Sequence, residues 1–198
     1  MSDIGNTNLK PTIVVVAGSG DTGKTSTLRE LANLFLRTPT NVPRYVGNSA
    51  SISIPNPPLF QNAPILTQGD FRLIINVNKH WVAIESMGDI GTHLQYRLEY
   101  LATGSAPNLP SIPPCELIFC AATDPVRPRQ NLHPVAEVEN FAHNKGYQII
   151  WTSTVLLQST LRSILCAAGP HLNAIGPQTD NAKAALLERL GASLGFYP

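Results

Sequence analysis

The sequence predicts an α/β fold of three layers, in which helices cover both faces of a mostly parallel central sheet. Three observations predict it: apolar runs typical of buried strands, amphipathic stretches between them, and a glycine-rich turn that joins the first strand to the first helix. A chain of 198 residues fits one domain, so we expect residues 1–198 to share a single core.

The first part of the chain predicts a strand, a helix and a loop. The continuous apolar run Ile13 to Val16 favours a buried strand at Thr12 to Ala17. Apolar side chains at helical spacing predict a helix from Lys24 to Arg37. Residues 1–10 are polar and are expected to form a flexible tail. Residues 38–64 contain six prolines and are expected to form one long loop.

The middle of the chain predicts an antiparallel hairpin. Strands are expected at Phe71 to Val77 and His80 to Glu85, with only two residues between them. The antiparallel member of this pair is expected at an edge of the sheet. Thr92 and Gln95 form a capping-box pattern at the start of the next helix.

The remaining expected elements alternate between helix and strand. They are a helix from Thr92 that ends at Gly104, a strand at Leu117–Ala121, a helix at Pro134–Lys145, a strand at Tyr147–Thr152, and helices at Val155–Ala168 and Asp180–Leu190. This alternation is the basis for the parallel sheet.

Composition excludes several classes of function. Charged residues make up only 14% of the chain and the formal net charge is +1, so nothing favours nucleic acid or an anionic membrane as partner. No apolar run approaches the roughly 20 residues of a membrane span. Cys115, Cys120 and Cys166 lack metal-site spacing and are expected to be reduced thiols. Together with the absence of a signal peptide, these features predict a cytoplasmic protein.

The glycine-rich turn matches the pattern G-x-x-x-x-G-K-[ST] at every position. Its backbone N–H groups can curl into an anion nest, and the helix that follows adds its positive end. The lysine would reach the β and γ phosphates, and the threonine hydroxyl would bind Mg²⁺. The predicted nucleotide-binding residues are Gly18, Ser19, Gly20, Asp21, Thr22, Gly23, Lys24, Thr25 and Ser26.

On these residues the chain resembles the P-loop NTPase superfamily, over residues 12–155. The resemblance implies a nucleoside triphosphate and Mg²⁺ as ligands. It does not extend to the chromosome-partitioning ATPases, because the loop has no second lysine between Gly18 and Gly23.

Part of the sequence resembles the GTPases of the translation-factor class, which place D-x-x-G after an antiparallel strand pair. Here Glu85 stands where they have aspartate, and Gly88 follows at the matching distance. The resemblance implies that Glu85 acts in catalysis with Lys24 and serves Mg²⁺. Asp89 is an alternative carboxylate for the metal, and Thr67 is a candidate switch threonine.

The guanine-recognition motif N/T-K-x-D of those GTPases is absent. Asn78-Lys79 and Asn144-Lys145 are not followed by the required aspartate, and residues 149–154 carry no carboxylate. ATP is therefore favoured over GTP.

The sequence therefore predicts a magnesium-dependent nucleoside triphosphatase that acts as a switch for a protein partner. No water-activating residue is evident, so we expect slow basal hydrolysis that a partner stimulates. Two alternatives stay open. Arg127 and Arg129 could form the lid of a small-molecule or nucleotide kinase, or the chain could be a scaffold that holds nucleotide without turnover.

Overall fold

The computed structural model describes residues 9–19, 22–38, 40–47, 66, 69–88, 94–123, 133–153 and 180–197. Six strands and four helices lie within these ranges. In chain order they are β1 (Thr12–Gly18), α1 (Lys24–Arg37), β2 (Val42–Gly47), β3 (Arg72–Val77), β4 (His80–Glu85), α2 (Leu94–Thr103), β5 (Leu117–Thr123), α3 (Pro134–Lys145), β6 (Gln148–Ser153) and α4 (Asp180–Ser193).

The six strands form one sheet in the order β2-β3-β4-β5-β1-β6. β1 pairs in parallel with β5 and β6, and β4 pairs in parallel with β5. β3 runs antiparallel to both of its neighbours, β2 and β4. This arrangement confirms the α/β class and the mostly parallel sheet. It also places β5 between β1 and β4.

Two hydrophobic cores cover the two faces of the sheet. Leu28, Leu31 and Phe35 of α1 pack on one face together with residues of α4. Leu98 of α2 and Phe141 of α3 pack on the other face. The helices therefore form the two outer layers that the sequence predicts. Within the described ranges, no helix combines the length and apolar character needed to cross a membrane.

The strongest sequence patterns correspond to the observed elements. α1 and α3 have the expected bounds, and the turn between β3 and β4 consists of Asn78 and Lys79, both with positive φ, as in a two-residue hairpin. The Gln95 N–H at the start of α2 donates to the Glu137 carboxylate of α3 at 3.0 Å. Thr92 and the helix expected at 155–168 lie outside the described residues.

Three expectations need correction. The loop expected at 38–64 contains strand β2, which pairs with β3 through an irregular register next to Pro43. Because β2 continues the sheet beyond β3, the antiparallel strand lies inside the sheet and not at its edge. Leu9, which was expected to belong to the flexible tail, packs against the α1–α4 core.

Candidate functional site

The candidate site lies at the edge of the sheet where the parallel strands end. β1, β4, β5 and β6 all finish there, and the antiparallel strand β3 begins there. Loops from several strands can therefore meet at this edge, which is the usual ligand-binding edge of an open α/β sheet. The glycine-rich turn follows β1 at this position.

The glycine-rich turn is closed by its own side chains. The Lys24 ammonium donates to the Ser19 carbonyl at 2.7 Å, and the Thr22 hydroxyl donates to the same carbonyl at 2.9 Å. Lys24 is only 5% exposed. Its amino group thus folds back over the turn that it follows. Gly20 and Asp21 lie outside the described residues.

Gly23 joins the turn to α1 in the left-handed conformation, with φ of 80°. A β-carbon at this position would lie 3.3 Å from the Asp180 carboxylate, so α4 begins beside the turn. The first turn of α1, which includes Ser26, contains no acidic residue. The positive end of the helix dipole is therefore not offset by a side chain of this helix.

Thr25 is paired with a carboxylate that sequence reasoning missed. Its hydroxyl donates to Oδ1 of Asp70 at 3.3 Å, and the Ser86 hydroxyl donates to the same oxygen, also at 3.3 Å. Asp70 lies two residues before β3, whose antiparallel direction brings its start to the site. The only sequence signal was an acidic residue just before a strand, which is too common to identify a site.

The Glu85 carboxylate, which is predicted to serve Mg²⁺ as Thr25 does, is not bonded to Thr25 among the described contacts. It is completely buried, and Arg72 Nε and Arg97 Nη1 lie 2.6 Å and 2.8 Å from its two carboxylate oxygens. Side chains alternate along a strand, so Glu85 shares the face of Ala83, which packs with α2. α1 covers the other face. The structure thus pairs Thr25 with Asp70, while Glu85 is paired with two arginines.

The segment after β4 crosses closely over β5. Gly88 accepts a hydrogen bond from the Thr123 N–H at 3.2 Å, and its own N–H donates to the Ser86 carbonyl at 3.0 Å. A β-carbon on Gly88 would lie 2.1 Å from the Ala121 carbonyl oxygen. Glycine is therefore required here for close backbone packing.

The remaining predicted site residues are not all within the described ranges. Thr67, Asp89, Arg127 and Arg129 lie outside them. The two Asn-Lys pairs are described. One forms the hairpin turn before β4, and the other closes α3 just before β6. Both lie at the edge where β4 and β6 begin, opposite the glycine-rich turn.

The oxygens around Asp70 fit a hard cation. Hydroxyl and carboxylate oxygens are the ligands that Mg²⁺ prefers, and it commonly needs only one or two carboxylates when phosphates complete its shell. In the part of the chain that the structure describes, no group of three or more histidine, cysteine, aspartate or glutamate side chains could hold a metal. A cation at Thr25 would therefore need phosphate oxygens of a bound ligand to complete its coordination shell.

A separate cavity of about 510 Å³ lies at the opposite edge of the sheet. Among its polar side chains, Asn41 donates to the Phe35 carbonyl, and Asn76 accepts a hydrogen bond from the Lys79 N–H. This cavity is distinct from the glycine-rich turn.

Comparisons with known proteins assign no family to this chain. Searches against protein-family models, curated proteins and solved structures returned no match.

Proposed function

We propose that this protein binds a nucleoside triphosphate with Mg²⁺ at Gly18 to Thr25 and hydrolyses it, with ATP as the preferred nucleotide. One observation supports this most strongly: a complete G-x-x-x-x-G-K-T segment joins the end of buried strand β1 to the start of α1. This is the local structure in which such a segment can direct backbone N–H groups at phosphate oxygens.

The proposed chemistry uses groups of this chain in defined roles. The loop N–H groups and the start of α1 bind the phosphates, and Lys24 offsets the charge that develops on them. When bound, Mg²⁺ would also neutralise phosphate charge. Water attacks the γ-phosphorus, the bond to the β–γ bridging oxygen breaks, and the products are a nucleoside diphosphate and inorganic phosphate.

The preference for ATP rests on the missing guanine carboxylate. The two Asn-Lys pairs lie at the opposite edge of the sheet, so they are not placed to read a base beside the glycine-rich turn. A partner-regulated switch is part of the same proposal, because the chain before β3 and the end of β4 reach α1 beside the turn, through Asp70 and Ser86.

Isothermal titration with ATP, GTP, ADP and GDP, each with and without Mg²⁺, tests the binding step. We expect Lys24→Ala to weaken ATP binding at least about tenfold, since a charged hydrogen bond contributes roughly 1.5–3 kcal/mol. Lys145→Ala, which removes an exposed lysine at the end of α3, is the matched control. Equal affinity of Lys24→Ala and the wild type for ATP would refute the proposed phosphate-binding role of Gly18 to Thr25.

Labelled ATP then distinguishes the possible outcomes of turnover. Release of labelled phosphate supports a triphosphatase. Label on a nucleoside or metabolite would instead indicate a kinase. Tight binding without phosphate release, even with candidate partners present, would indicate a nucleotide-binding scaffold.

A further inference from the structure

We propose that Asp70 is the carboxylate that holds the magnesium ion of the bound nucleotide, either directly or through a water ligand. This inference rests on the proposed function and assigns its metal site to a different residue from the one that the sequence pattern indicates. The observation behind it is the convergence of the Thr25 and Ser86 hydroxyls on one oxygen of Asp70.

A polar stripe on α1 holds Asp70 in place. Thr25, Arg29 and Asn33 are spaced four residues apart, so they lie on one side of the helix. Asn33 exchanges two hydrogen bonds with the backbone of Leu66, at 3.0 Å and 3.4 Å, and the Arg29 guanidinium donates to the Gly69 carbonyl at 3.0 Å. The chain before β3 is thus attached to α1 as it approaches Thr25.

The end of β4 fixes Asp70 from the other side. Phe71 donates its N–H to the Ser86 hydroxyl at 2.8 Å, and its carbonyl accepts the Ser86 N–H at 3.1 Å. Ser86 is 1% exposed. Asp70 is therefore held between α1 and β4, and its position does not depend on an exposed loop alone.

The bonds to Asp70 can be exchanged for a cation, whereas those to Glu85 cannot. Among the described residues, the two hydrogen bonds to Asp70 come from hydroxyl groups, which can rotate and present a lone pair to a metal. Glu85 is bonded by two guanidinium groups, which have no acceptor atom and would repel a divalent ion. Of the two carboxylates, Asp70 is the one that can accept Mg²⁺ beside Thr25.

The test compares nucleotide affinity across free Mg²⁺ concentrations, by fluorescence titration with a labelled ATP analogue. We expect Asp70→Asn to reduce the gain in affinity due to Mg²⁺ by roughly 10–100-fold, the range measured when groups that support a metal are removed. Its affinity in EDTA should match the wild type, because Lys24 and the loop N–H groups are unchanged. Glu139→Gln, an exposed carboxylate on α3, is the matched control.

The outcomes separate this inference from the proposed function. If Mg²⁺ raises the nucleotide affinity of the wild type and of Asp70→Asn equally, Asp70 is not the carboxylate that holds the metal, although the proposed nucleotide binding is unaffected. If the wild type binds no nucleotide with or without Mg²⁺, both proposals fail.

A measurement on the wild type removes any dependence on the folding of the variant. With Mn²⁺ in place of Mg²⁺ and the nucleotide bound, NMR signals of Asp70 should broaden far more than those of Arg97, which lies on the other face of the sheet. Broadening that is stronger at Arg97, or equal at the two residues, would overturn the assignment.

Discussion

The Arg97 guanidinium lies 2.8 Å from Oε1 of Glu85 and joins α2 to the end of β4. The same guanidinium nitrogen donates to the Met87 carbonyl at 3.3 Å. On the other side, Arg72 bonds the second oxygen of Glu85 and stacks over Tyr100 at 5.3 Å from the ring centroid. The carboxylate therefore ties together two strands, a helix and the segment that carries Gly88.

Glu85→Gln should destabilise the fold. Removing one partner of a buried ion pair leaves uncompensated charge and costs about 3–5 kcal/mol, and here two arginines would be left. Urea unfolding measures the change in the free energy of unfolding. Glu139→Gln is the control, and we expect it to leave this free energy almost unchanged. A stable Glu85→Gln protein that has lost the effect of Mg²⁺ on nucleotide affinity would contradict the structural role assigned to Glu85.

Gly88→Ala should also destabilise the fold, because its β-carbon would meet the Ala121 carbonyl at 2.1 Å and the backbone of β4 or β5 must move. We expect the free energy of unfolding to fall by about 3 kcal/mol, which is the upper end of the usual cost of overpacking. Gly146→Ala is the comparison: it has open space but positive φ, which costs about 1–2 kcal/mol. If thermal unfolding showed a larger loss of stability for Gly146→Ala than for Gly88→Ala, the segment after β4 would not pack closely against β5.

Asn33→Ala should loosen the attachment of the chain before β3 to α1. The side chain is 2% exposed and bonds both backbone groups of Leu66, so its loss should cost about 1–3 kcal/mol through unsatisfied groups. In this variant, the rate of amide hydrogen exchange should increase at Leu66 and Gly69, and it should increase less in β1. Unchanged protection at both residues would mean that Asn33 does not hold this segment.

The thiols of Cys115 and Cys120 should be unreactive in the folded protein. Burial raises the pKa of each thiol well above its ordinary value, and the negative charge of Glu85 raises the pKa of Cys120 further. Little thiolate forms at pH 8, and thiolate is the reactive form. In a Cys166→Ser variant, a disulfide reagent should label neither thiol until denaturant is added. Rapid labelling of the native protein would contradict this burial.

Much of the fold was predictable because its signals are local. The β-branched run of β1, the apolar face of α1 and the proline that opens α3 each act within a few residues. β2 was missed for a physical reason: it contains Pro43, and Val42 is 54% exposed, so neither its composition nor its burial resembles a core strand. Residues 42–47 form a strand because they pair with β3, which is far away in sequence.

The candidate site was predictable only where it is contiguous in sequence. Gly18 to Thr25 form one segment, whereas Asp70 lies 45 residues from its hydrogen-bond partner Thr25. Finding it requires the direction of β3 and the strand order, which depend on long-range pairing. The face of the sheet on which Glu85 lies could not be predicted for the same reason, because it depends on where α1 and α2 pack.

A crystal structure grown with Mg²⁺ and a non-hydrolysable ATP analogue would show directly whether nucleotide binds at the glycine-rich turn. We expect phosphate density against the backbone N–H groups of Gly18 to Thr25, with the Lys24 amino group moved from the Ser19 carbonyl to the phosphates. A structure in which nucleotide is present in the crystal but binds elsewhere, with Lys24 still bonded to Ser19, would contradict it.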